Sequence, residues 1–134
     1  MKSKCERINI IGAGLSGLFA AKTLACEGYP VRLFSTHESG RAQSNLAQGG
    51  INAALDLMGE NDSISEHYDD TMRGGLYLAS PAMVKGLTES APDIVMELDR
   101  LGAAFHRENG RIVQRAFGGQ KKRRTVYAKS STGR

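Results

Sequence analysis

At 134 residues, 40% of them hydrophobic and 24% charged, the chain is long enough for one domain with a modest core and too short for a two-domain enzyme. That balance excludes a disordered polymer, and no run of the roughly 18 apolar residues that a membrane span needs is present. The net charge of +4 conceals an asymmetry, because residues 107–134 balance to +8 and residues 1–106 to −4.

The start of the chain has two readings. Lys2, Lys4 and Arg7 followed by an apolar stretch and Leu24-Ala25-Cys26 loosely resemble an exported lipoprotein leader. Glu6 within the basic start, Lys22 within the apolar stretch and three regularly spaced glycines argue against it. Cys5 and Cys26 are too few for a disulfide framework and suit a reducing compartment.

Arg7 to Ile11 is a short apolar run ending in glycine and predicts a buried strand. Leu15 to Glu27 carries Leu18, Phe19, Ala21, Leu24 and Ala25 at helical spacing, with Gly28 as the stop. Pro30 to Phe34 predicts a second, parallel strand, which completes a βαβ unit. Ser35 to Ala47 is polar and predicts a loop lying over a ligand. Gln48 to Leu55 can begin as a backbone nest and continue as either strand or helix.

Ser63-Ile64-Ser65-Glu66 matches a capping box and predicts a helix to about Arg73, stopped by Gly74-Gly75. Ser80-Pro81 starts another helix. Ser90-Ala91-Pro92-Asp93 is expected to end that helix and cap the next. Ile94, Val95, Leu98 and Leu101 would form the apolar face of this last helix, and Gly102 its stop. Phe105 to Arg134 predicts short strands and turns.

The chemistry begins at Gly12-Ala13-Gly14-Leu15-Ser16-Gly17, set between a strand and a helix. Gly12 permits the tight turn, Gly14 lets the backbone approach a pyrophosphate, and Gly17 lets helix and strand pack closely. The helix N-terminus then offers free amides and a positive dipole end to phosphates. An acid that binds a ribose hydroxyl is expected roughly 20 residues further on. Ser35 stands there instead, with Glu38 as an alternative out in the loop. The paired Gly49-Gly50 beside Gln48 suits close backbone approach to a flat ring.

Taken together and in order, GAGLSG, AQGGINAAL, HYDDTMRGG, ESAPDIVMELDRLGAAF, RAFGG, RRTVYA and Ser131-Thr132-Gly133 resemble the flavoprotein subunit of the succinate dehydrogenase/fumarate reductase family. The resemblance covers nearly the whole chain. It implies an α/β, Rossmann-like FAD-binding domain with a parallel sheet, and hydride transfer between succinate and fumarate at the flavin. By that resemblance Gly12, Ala13, Gly14, Leu15, Ser16 and Gly17 hold the pyrophosphate, and Ser35 sits by the adenosine ribose. Ser44, Ala47, Gln48, Gly49 and Gly50 lie along the isoalloxazine. Phe117 packs beside the dicarboxylate. The basic stretch near the end, which composition alone would also allow to meet nucleic acid, would partly line the dianion site and partly face solvent. It interleaves only Phe117 and Tyr127 as stacking residues, so no nucleic-acid partner is expected.

Two departures from the family pattern carry consequences. Many members bear a histidine, bonded covalently to the flavin, five residues before the Gln-Gly-Gly. Gln43 stands there, and an amide cannot form that bond, so the FAD is expected to be dissociable and the fumarate-reducing direction favoured. His37 is near but off the motif position. The family's subunits are also several times longer, and their capping domain brings the arginine proton donor. Residues 1–134 therefore resemble an N-terminal fragment, expected to be inactive alone, with no catalytic residue and no metal site of its own. The resemblance further implies a partner, the iron–sulfur subunit, and a cytoplasmic place or a peripheral one on the cytoplasmic membrane face. L-aspartate oxidase, a relative sharing AQGG and a non-covalent flavin, is the nearest alternative, although Asn52, Phe117-Gly118-Gly119 and Arg124-Thr125 look more like the succinate/fumarate branch. A non-catalytic remnant is the other.

Overall fold

The computed structural model describes residues 7–36, 42–129 and 132–133. Cys5, His37, Glu38 and Ser131 lie outside the described residues. The chain divides into two compact units, Met1–Ala47 with Gly133–Arg134, and Gln48–Thr132.

In the first unit, strand β1 (Ile8–Ile11) and strand β2 (Val31–Phe34) pair in parallel, Ile8 opposite Val31 through Ile11 opposite Phe34. Helix α1 (Leu15–Cys26) connects them and packs on both. This is the expected βαβ unit, and Gly28, at φ +83°, supplies the left-handed residue that ends the helical turn. The strand was expected to be buried. It instead alternates, with Ile8 and Ile10 half-buried and Asn9 and Ile11 exposed, because the helix covers a single face of a two-stranded sheet. Helix α2 (Gln43–Leu46) is one turn inside the stretch expected to be loop.

The second unit is built on strand β3 (Ile51–Asn52), helices α3 (Ile64–Gly74) and α4 (Pro81–Arg100), the hairpin of β4 (Arg107–Glu108) and β5 (Arg111–Ile112), and strands β6 (Gln114–Arg115) and β7 (Thr125–Val126). An antiparallel sheet runs in the order β3-β7-β6, so the segment after Gln48-Gly49-Gly50 is a strand. The core gathers Ala53, Ala91, Val95, Phe105, Ile112 and Val126, with Ile51, Leu55, Leu98 and Ala103 against it. The hydroxyl half of the predicted capping box is in place, the Ser63 Oγ accepting from the Glu66 amide at 3.1 Å.

One expected boundary is absent. Helix α4 runs unbroken through Pro92. A proline removes one helical hydrogen bond and costs about 3 kcal/mol or more in a helix interior. Here Val84, Thr88, Ala91 and Val95, spaced along one stripe on both sides of Pro92, are all buried. Burying that continuous stripe outweighs the local cost. Ser90 caps nothing: its hydroxyl donates back to the Gly86 carbonyl at 2.8 Å. The buried face also differs from the expected one, since Ile94 and Leu101 are exposed while Gly102, at φ +96°, does stop the helix.

A buried ionic cluster ties α3 to β7. Arg124, fully buried, donates from Nη2 to Asp62 Oδ1 at 2.8 Å and from Nε to Asp62 Oδ2 at 3.1 Å. The same Nη2 lies 3.2 Å from Asp70 Oδ2, and Asp70 also pairs with Arg73. His67 is buried in the same cluster. Burial holds its imidazole below the ordinary 6.5, and the Arg124 charge pushes it the same way, against the opposing pull of Asp62 and Asp70. A base whose folded pKa is depressed stays neutral in the fold while the unfolded chain takes up a proton. Stability is therefore complete above about pH 6.5 and falls as the pH drops below it. Urea unfolding followed between about pH 7.5 and 5 should show this loss, and His67→Gln should flatten it. Parallel curves for the two proteins would place the proton uptake elsewhere.

No helix among the described residues is long and apolar enough to cross a membrane.

Candidate functional site

The glycine turn of the first unit is shaped by close contact. A Cβ on Gly17 would stand 1.8 Å from the Gly12 carbonyl oxygen, which no side chain survives. Gly12 itself has φ +108°, a conformation that favours glycine, and its amide continues the strand by donating to Phe34 O at 2.8 Å. The first intrahelical bond of α1 runs from the Leu18 amide to Gly14 O. The amides of Leu15, Ser16 and Gly17 therefore have no acceptor within the helix, and no acid occupies its first turn.

A cleft of about 560 Å³ opens beside this turn at the carboxyl ends of β1 and β2. Gly12, Ala13 and Gly14 form one wall. Ile11 and Phe34, the last residues of the two strands, line it with Ser35, Thr36, Ala42, Gln43 and Ser44. Ile11 is 90% exposed, so the cleft offers apolar surface next to peptide donors. Of the residues expected at a cofactor, Gly12, Ala13, Gly14, Ser35 and Ser44 thus share one site, joined by Gln43. Leu15 is tied to it because its amide donates to Ser44 Oγ at 3.0 Å. Ser44, grouped from sequence with the ring-binding loop, sits against the glycine turn, where its oxygen meets the amide that a phosphate oxygen would meet. Ala47 also belongs to this unit and accepts from the Gly133 amide at 2.9 Å.

Gln48, Gly49 and Gly50 belong to the second unit, with Phe117. A Cβ on Gly50 would approach Val126 O to 2.5 Å, and its φ of +116° favours glycine as well. The Phe117 ring lies over Gly49, 3.6 Å from where a Cβ would be, and is 51% exposed. Two residues that the sequence reading missed hold this segment down from β6. Arg115 Nη2 donates to Gly49 O at 2.9 Å. The buried Gln114 donates from Nε2 to Ala53 O at 2.8 Å and accepts from the Leu57 amide at 3.1 Å. The sequence signal for Arg115 was its place in the RAFGG motif.

The basic stretch is largely spent within the fold. Lys122 Nζ donates to Glu60 O at 2.6 Å, Arg123 bonds the Glu60 carboxylate through its amide (2.8 Å) and Nε (2.6 Å), and Arg124 is the buried cation described above. The Arg123 amide, followed by its guanidinium, holds Glu60 below the ordinary carboxylate range. An acidic turn, Asp56 to Asp62, thus neutralises the residues expected in part to line a dianion site. Asp56 shapes the turn, its Oδ1 accepting from the amides of Glu60 and Asp62.

A peptide cradle free of side chains, facing a helix N-terminus at the carboxyl ends of parallel strands, defines a dinucleotide-binding protein. Which dinucleotide follows from comparison: the chain belongs to the FAD binding domain family, whose sequence profile matches residues 8–134. The succinate dehydrogenase flavoprotein subunit of Bacillus subtilis is 46% identical over 127 residues, covering 94% of this chain and 22% of that one. A polypeptide of the CoM/CoB fumarate reductase of Methanothermobacter marburgensis is 39% identical over 132 residues, covering 97% and 24%. In structure, the Mycobacterium smegmatis Sdh1 complex in its apo form matches with a TM-score of 0.88 at 37% identity, over 96% of this chain and 22% of that one. The chain thus spans less than a quarter of the length of these relatives. The resemblance to succinate dehydrogenase and fumarate reductase flavoproteins is borne out, and with it the α/β fold and a family of FAD-dependent oxidoreductases.

The residues present fit FAD. The described lining of the cleft carries no carboxylate to repel a pyrophosphate, and Gly14 puts no Cβ on the wall that it forms with Gly12.

Proposed function

We propose that the chain corresponds to the FAD-binding N-terminal portion of a flavoprotein that interconverts succinate and fumarate. The observation that carries this reading is the Gly12–Gly17 turn, closed to any Cβ at Gly17 and open on a cleft with no acid among its described lining residues. Within it, the amides of Ser16 and Gly17 bind the pyrophosphate, joined by the Leu15 amide once a phosphate oxygen displaces Ser44 Oγ from it. Ser35 takes one ribose hydrogen bond, fewer than a carboxylate would make. Ala47, Gln48, Gly49 and Gly50 lie along the isoalloxazine, and Phe117 excludes water on the side where the dicarboxylate binds. Bound FAD supplies the hydride chemistry.

Gln43 lines the cleft and has no nucleophilic ring nitrogen, so the flavin is held without a covalent bond. By the family's logic this favours fumarate reduction. The longer protein is expected to work with an iron–sulfur subunit, in the cytoplasm or peripherally on the cytoplasmic membrane face. Residues 1–134 alone are expected to bind flavin without turnover, because a paired proton donor and a closed site are needed for hydride transfer.

Acid precipitation of the flavin-loaded protein should release all of the yellow colour into the supernatant. Colour retained on the polypeptide would overturn the non-covalent assignment. A full-length version should reduce fumarate; turnover of aspartate instead would move the protein to the aspartate oxidase branch.

A further inference from the structure

We infer that Arg115 is a positioning residue of the flavin site, fixing the Gly49–Gly50 peptide and setting a positive charge beside the ring that lies on it. This rests on the reading that Gln48-Gly49-Gly50 flanks the isoalloxazine.

The geometry around Arg115 is specific. It lies on β6 and is paired in register with Thr125 of β7. Its guanidinium carbon stands 4.2 Å from the Tyr127 ring centroid and 5.5 Å from that of Phe117, so two aromatic faces fix a side chain that is otherwise among the most mobile. From that position Nη2 bonds Gly49 O. The Gly49 carbonyl and the Gly50 N–H belong to one planar trans peptide, so they point in opposite directions. Arg115 on the carbonyl therefore turns the Gly50 N–H away from itself. It also polarises that N–H and makes it a stronger donor to an acceptor atom of a ring.

Packing alone does not explain an arginine here. Its Nε is buried with no hydrogen-bond partner among the described residues, a donor left unsatisfied there. Arg123 and Arg124 meet carboxylates, whereas the hydrogen bond that Arg115 makes is to a neutral carbonyl, which cancels none of its charge. A cation beside a flavin favours the electron-richer, reduced ring and raises its potential. A neutral donor at this position would hold the peptide less firmly and would not do this.

Two substitutions separate the roles. Arg115→Lys keeps the charge and loses the planar fork; Arg115→Gln keeps a donor and loses the charge. The flavin-loaded chain and both variants are compared by fluorescence titration with FAD and by dye-equilibrated midpoint potential, with far-UV circular dichroism as the check on folding. Both variants should bind FAD about tenfold more weakly, the loss expected for one charge-assisted bond. Arg115→Gln should lower the flavin potential, and Arg115→Lys should leave it near the starting value. If Arg115→Gln does not fold, the lysine variant decides, since weaker binding at an unchanged potential is required of it. Wild-type affinity and potential in a folded variant would overturn the role of Arg115 alone. A starting chain that takes up no flavin would overturn the flavin reading as well.

Discussion

Replacing Arg124 with leucine is expected to destabilise the protein by about 3–5 kcal/mol, a large share of the total stability of a domain this size. The reason is not the loss of attraction alone. Asp62 and Asp70 are 2% and 7% exposed, and without the guanidinium two carboxylates remain out of water with little to neutralise them. Arg73 keeps its pair with Asp70, so Asp62 suffers most. Adding Asp62→Asn to Arg124→Leu should recover part of the loss, because it removes the stranded charge. Urea unfolding of the single and double variants measures both quantities. A loss below about 1 kcal/mol for Arg124→Leu would show that water already reaches these groups.

The second large effect is on the cofactor. Gly17→Ala places a methyl group where the Gly12 carbonyl stands, so the turn must open or the helix must back away from β1. Overpacking of this kind costs about 1–3 kcal/mol, which at the phosphate cradle reads as flavin binding weakened roughly ten- to hundredfold. Gly28→Ala serves as the control. It also sits at positive φ, +83°, but a Cβ there meets nothing within 4 Å, and it lies at the far end of α1. It should lower stability modestly and leave flavin affinity unchanged. Equal loss of affinity in both variants would mean that the turn acts only through overall stability.

The βαβ unit was legible because its signals are local. An apolar run, three glycines at fixed spacing, a helical stripe and a terminal glycine fall within about 30 residues, the span of one such unit. Helix α3 was legible for the same reason, its start written in Ser63 and Glu66. Pro92 misled because a local rule was overridden from a distance. Helix α4 packs on α3, and its Ala91 and Val95 join a core with Phe105, Ile112 and Val126, which come later in the chain, so their pull is invisible in the helix sequence itself.

The same distance hid most of the second unit's chemistry. Arg124 finds Asp62 across 62 residues, and Arg115 finds Gly49 across 66. Composition registered the basic stretch as an excess of charge. It could not register that the Asp56–Asp62 turn supplies the compensating acids. Ser44 was expected along the isoalloxazine, but its placement at the glycine turn depends on the single helical turn of α2, which no periodicity announces.

The peptide cradle is expected to hold FAD reversibly. Titration of FAD into the purified chain, followed by quenching of flavin fluorescence, tests it directly. The expected result is saturable quenching at one flavin per chain, competed by ADP, which shares the adenosine and phosphate end of the cofactor. It should be weakened roughly ten- to hundredfold in Gly17→Ala and fully reversed when the protein is precipitated. A folded chain that leaves flavin fluorescence unchanged would contradict the account.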